Sequence, residues 1–190
     1  MKNDALTAGV FPGGLTSRAE IRILICYILM NIDKPVPRRE LTELLHFNGI
    51  ANYFEVAFAM GDLEENNHIS VVGKNSDNLY MVTKSGINIA KTLEKNVPLT
   101  IREYSCKLVE KMISRLKNEK ENKVSIEEKP NGCLISCSVM EGESELMTVR
   151  LLVPDIHCAE VVKNAFLDDP TSVFVGINDV LLRELDKKQD

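Results

Sequence analysis

Asn52, Tyr53 and Glu55 stand together at the head of a segment with helical spacing, where their side chains could reach the edges of nucleic-acid bases. Asparagine can bond adenine bidentately, and glutamate can accept from the cytosine amine. A structural role is the alternative, with Asn52 capping the helix and Tyr53 packing inward. Arg38 and Arg39 open the preceding helix, where their charge and the free amides of a helix start suit a phosphate. A solvated surface pair is the plainer reading of the two arginines. Lys74 and Asn75 fall in a polar turn, and Lys84 lies just beyond the returning strand, so these three are further phosphate candidates. Arg18 and Arg22, one turn apart on the first helix, could flank a nucleic-acid backbone or pair with Glu20 and other neighbours.

Other chemistry has little to work with. Cys133 and Cys137 share one face of a strand but lie four residues apart, roughly 13 Å along an extended chain. Ligands to one metal ion must each approach within about 2.3 Å of it, so two buried cysteines are the better description. His46, His68 and His157 have no ligand spacing, and His157 and Cys158, being adjacent, point in different directions on a helix. Phe11-Pro12-Gly13-Gly14 lacks the lysine and the strand-to-helix setting of a phosphate loop. No enzyme, cofactor or metal is expected.

The elements that must position these residues follow from periodicity. Residues 1–16, with Gly9, Pro12, Gly13 and Gly14, show no period and read as an extended arm. After Ser17, a candidate N-cap, Ile21, Leu24, Ile25, Ile28 and Leu29 recur at helical steps until Pro35 and Pro37 stop the pattern. A second helix carries Leu41, Leu44 and Leu45, and Asn48-Gly49 turns the chain. A third runs from about Ala51 to Asn66, with Tyr53, Val56, Ala57, Met60 and Leu63 as inward candidates. Ile69 and Val71, then Leu79 to Val82, form a hairpin, and a fourth helix carries Ile87, Ile89, Ala90 and Leu93.

Helix, helix, turn, helix, hairpin, helix offers no parallel strand pair, so a βαβ sheet is excluded. The order fits a three-helix core closed by a two-stranded wing, a winged helix-turn-helix domain over residues 17–97. Residues 98–190 read differently. A long helix through Leu116 precedes three strands, in which Cys133, Ile135, Cys137 and Val139 share a face, as do Met147, Val149, Leu151 and Val153. Asp155 and Asp169-Pro170 then open two helices, although Val173–Val175 could instead be a strand. The fold class is α+β: a winged helix-turn-helix followed by a small domain with a three-stranded antiparallel sheet and helices, suited to dimerisation or sensing.

Asp4-Ala5-Leu6-Thr7-Ala8-Gly9 with Pro12-Gly13-Gly14, Ala51-Asn52-Tyr53-Phe54 and Tyr80-Met81-Val82-Thr83 before Gly86 carry a resemblance that continues through Ile101-Arg102 and Leu152-Val153-Pro154. Over nearly its whole length the chain resembles a bacterial winged-helix family catalogued as a domain of unknown function, whose members are often labelled transcriptional regulators. The resemblance implies a winged-helix fold. It brings no ligand, operator or catalytic residue.

A regulator binding double-stranded DNA is therefore the leading expectation, as a homodimer with the helix from Leu99 to Leu116 as the interface. A protein-interaction module, which an acidic third helix with Phe54 and Phe58 one turn apart would suit, and a ligand sensor with an unknown effector are the alternatives. Charge opposes the first: the net charge is −5, and residues 17–96 hold 9 Lys and Arg against 10 Asp and Glu. DNA affinity rests largely on cations that replace counterions, so a near-neutral domain needs either well-placed arginines or two copies. With no apolar run near the roughly 20 residues of a membrane span and no leader pattern, a cytoplasmic protein is expected.

Overall fold

The structure, a computed structural model, describes residues 9–74 and 78–186. Two units divide the chain between Met112 and Ile113. The first is built on α1 (Arg18–Ile32), which is buried on nearly every side because Ile21, Ile23, Leu24, Ile25, Cys26, Ile28 and Leu29 all turn inward. Ser17 holds the N-cap position without a side-chain cap bond, and the helix ends at Asp33 in the left-handed conformation (φ 48°). The chain then passes through β1 (Val36–Pro37) into α2 (Arg38–Phe47), which buries Leu41 and Leu45.

The turn after α2 is a backbone device. Gly49 sits at φ +65°, a conformation glycine adopts without a Cβ clash, and its amide donates to the His46 carbonyl at 2.9 Å. Ile50 and Ala51 both donate back to Leu45, and the chain enters α3 (Tyr53–Glu65) through Asn52. The stripe that α3 buries is Val56, Ala59, Met60 and Leu63. This shifts the expected face: Tyr53 is exposed and Ala57 half-buried.

From Gly9 onward, the expected extended arm lies along this same turn. Phe11 and Leu15 donate to the Gly49 and Ile50 carbonyls at 2.9 and 2.7 Å, and Leu15 bridges Ala51 in parallel fashion. Residues 1–8 of the expected arm lie outside the described residues.

β2 (Ile69–Lys74) and β3 (Asn78–Val82) pair antiparallel, with a register shift between Val71 and Gly73. The expected two-stranded hairpin has a third member, because Val36 and Pro37 of β1 pair with Tyr80 and Leu79 in the order β1-β3-β2. Pro37 has no amide to donate, which an edge strand tolerates. Thr83 caps α4 (Lys84–Leu93) by accepting from the Gly86 amide. Gly86 cannot be larger: a Cβ there would stand 2.2 Å from the His68 carbonyl oxygen.

A 3-10 turn (Glu94–Asn96) leads to α5 (Leu99–Glu121), within which the two units divide. In the first unit Arg102 is buried, donating to the Val97 carbonyl at 3.1 Å and stacking over the Tyr27 ring.

The second unit is an antiparallel meander of β4 (Lys123–Lys129), β5 (Gly132–Glu141) and β6 (Ser144–Val153), in the order β4-β5-β6. Cys133, Ile135, Cys137 and Val139 do share a face, and the register sets Val153, Leu151, Val149 and Met147 beside them. That face packs on Ala159, Phe166 and Leu167 of α6 (Ile156–Asp168) and on Val173 and Phe174 of α7 (Pro170–Asp186). Val173–Val175 is thus helical. Asp155 accepts from the Cys158 amide at 2.8 Å and Asp169 from the Ser172 amide at 2.9 Å, so each caps its helix start. The whole is a mixed α+β fold with two three-stranded antiparallel sheets.

Candidate functional site

α3 carries the cluster of residues that the sequence singled out, and it sorts them. Asn52 is 5% exposed, and its Oδ1 accepts from the Phe54 amide at 2.9 Å, so the side chain is committed to capping the helix. Glu55 is 3% exposed and receives Arg18 in a two-pronged ion pair, with Nε at 2.5 Å and Nη2 at 3.1 Å. The Arg18 hydrogen bond holds the Glu55 carboxyl below its ordinary range, against burial, which works the other way. Base contact by Asn52 or Glu55 therefore does not fit this geometry: both side chains turn toward the fold. Tyr53 alone of the three expected base readers is exposed, at 38%.

The outward positions of α3 are apolar. Phe54 is 67% exposed and Phe58, one turn on, 58%. With Arg38, Ala57, Gly61, Asp62 and Glu65 they line an open groove along the helix. Aromatic side chains continue from its N-terminal end: the Tyr53 ring meets those of Phe54 and His46 at 5.7 and 6.0 Å, and His46 meets the exposed Phe47. Phe54 and Phe58 are the pair on which the sequence rests the protein-interaction alternative, although they are not among the expected base contacts. The available signal was their phase, since neither belongs to the stripe of Val56, Ala59, Met60 and Leu63.

Cations reach this helix from its neighbours. Arg38 lines the groove and donates to the Ala57 carbonyl at 3.0 Å. Arg18 lies over the Phe58 ring, 5.3 Å from its centre, while it holds Glu55. Arg22 pairs with Asp62 at 3.2 Å. Arg18 and Arg22 thus pair across to α3, with Glu55 and Asp62, so the partners are neighbours in the fold. Arg39 is exposed and meets Glu43 at 2.9 Å. Lys84 is exposed at the start of α4. Lys74 ends β2, and Asn75 lies outside the described residues.

Cys26, Cys133 and Cys137 are buried free thiols, and burial pushes Cys26 up to about 12. Among the described residues no group of three or more His, Cys, Asp or Glu side chains is arranged to hold a metal ion. Among them, too, no helix is long and apolar enough to cross a membrane.

The fold and site define an α+β protein whose third helix leaves an aromatic face open beside arginines from α1 and α2. Its family model matches residues 21–181, so the chain belongs to the family described as a domain of unknown function (DUF4364). No curated protein matches the chain, and no solved structure does.

Proposed function

We propose that the first unit is a winged helix-turn-helix and that the chain is a DNA-binding transcriptional regulator. In this reading α3 enters the major groove and the β2–β3 hairpin is the wing. One observation carries it: the outer face of α3 is left open, while Arg38 lines its groove and Arg18 reaches its Phe58 ring. The helix lacks cations of its own; Arg38 of α2 is the cation beside its groove, while the charge of Arg18 is met by Glu55. Tyr53 is the polar residue offered to bases. Asn52 is the cap that aims the first turn. Arg38, Arg39, Lys74, Asn75 and Lys84 are the phosphate contacts, and a homodimer joined through the helix from Leu99 to Leu116 doubles their number. No feature of the first unit names a small-molecule effector.

A second reading is favoured by a specific observation. Phe54 and Phe58 are large apolar side chains in the open, a feature more typical of protein docking faces than of DNA readers. One experiment separates the two. Genomic fragments captured by the full chain at low salt are sequenced, and the affinity of enriched fragments is followed against salt. The DNA reading expects enrichment and a steep fall of log affinity with log salt, and Arg39→Ala should lower the slope by about one. Capture of no fragment above bulk would pass the face to a protein partner.

A further inference from the structure

We propose that the outer face of the β4–β5–β6 sheet binds a phosphorylated small molecule with a hydroxylated body, of the sugar monophosphate class. The proposal goes beyond the DNA-binding reading and does not depend on it. Strand register places the site. Lys123, Ser138 and Thr148 stand opposite one another across the three strands, and so do Ser125, Ser136 and Arg150 two residues along. Side chains alternate between the faces of a strand, so these six lie away from the core of Cys133, Ile135, Cys137 and Val139. They form a grid with a floor of hydroxyls and a cation at each of two opposite corners. With Val124 and Glu145 they line a depression of about 510 Å³, a size that suits a small molecule.

The lining selects the ligand. Among the described residues neither Lys123 nor Arg150 has an ion-pair partner, and Glu145 is the one carboxylate of the lining, so two cations face one anion. A phosphate monoester carries a charge of about −1.5 to −2 near neutral pH and three strong acceptor oxygens. Arg150 can meet these with a fork of donors and Lys123 with a point charge. Ser138 is 8% exposed, and its hydroxyl shares a hydrogen bond with that of Thr148 at 2.5 Å. One of the two donates to the other, which keeps its own proton for a ligand oxygen. Strands favour β-branched and aromatic side chains, and the three serines of the grid leave room above the sheet that larger residues would fill. The lining holds no aromatic ring, so a nucleobase finds no stacking platform, and its one aliphatic side chain, Val124, packs against the core. A polar body fits instead. Glu145 can accept from a hydroxyl of that body and repels a second anionic group, which favours one phosphate over two.

Isothermal titration calorimetry of the full chain at constant ionic strength, with glucose-6-phosphate, glucose and inorganic phosphate as probes, tests the assignment. The expected order is glucose-6-phosphate tightest, inorganic phosphate weaker, and glucose without measurable binding. Lys123→Ala and Arg150→Ala should each weaken the sugar phosphate about tenfold, the usual effect of losing one hydrogen bond to a charged group. Arg150→Lys, which keeps the charge, should lose less. Ser136→Val, a better strand former that removes a hydroxyl and fills the floor, should stay folded and abolish binding. Absence of glucose-6-phosphate binding, or binding that these substitutions leave unchanged, would overturn the proposal. So would glucose or inorganic phosphate binding as tightly as the sugar phosphate.

Discussion

Asn52 separates a structural role from a reading one, and replacing it with alanine has a magnitude that the geometry fixes. The Asn52 side chain is nearly sealed from water, and it accepts from the Phe54 amide at 2.9 Å. Removing an N-cap costs about 1 kcal/mol when water can take its place. Here the cap bond is part-buried, so the cost lies between about 1 and about 2 kcal/mol. For a unit of this size, that lowers Tm by on the order of 10 °C. The assay is thermal unfolding followed by far-ultraviolet circular dichroism. Asn52→Ser returns an acceptor to the cap and should recover most of the loss. DNA affinity should follow the same order, falling with alanine and returning with serine, because the cap only aims the turn that carries Phe54. An alanine variant melting within about 2 °C of the native chain would refute the cap argument. A serine variant that melts normally but does not bind would return Asn52 to the base edges.

Two further outcomes follow from the same geometry. Glu55 titrates below its ordinary value of 4.5 in the folded chain, chiefly through Arg18, so its stabilisation is complete above that pH and is lost as pH falls through the lower folded value. Tm measured from pH 6 to pH 3 should therefore fall less steeply for Glu55→Gln than for the native chain, and equal slopes would remove Glu55 from the explanation. In the second unit, Ile135 is fully buried at the centre of the meander's core. Ile135→Ala should cost about 3 kcal/mol and raise the open population roughly a hundredfold, read as faster trypsin cleavage within residues 113–186; an unchanged rate would show that this core does not hold the unit closed.

Much of the fold was legible because it is local. The apolar stripe of α1, the Asn48-Gly49 turn, the hairpin and the alternation of Cys133, Ile135, Cys137 and Val139 all announce themselves within a few residues. What escaped is non-local. β1 is two residues long and includes a proline, too short to show a period of two, and it exists only because β3 lies beside it. The arm reads as formless until Phe11 and Leu15 find the carbonyls of the turn. The site suffered most from this. A 3.6-residue period fits both Tyr53-Val56-Ala57-Met60-Leu63 and Val56-Ala59-Met60-Leu63, and the choice between them depends on what α1 presents. Arg18, 37 residues earlier in the chain, draws Glu55 inward and settles the phase. Phe54 and Phe58 are then left facing out.

The account stands on α3 as the working surface, and amide hydrogen exchange of the full chain, with and without a selected duplex, addresses that most directly. Slowed exchange concentrated in residues 51–61 and in the β2–β3 hairpin is the expected result. Protection confined to residues 113–186, with α3 exchanging as it does in the free chain, would contradict it.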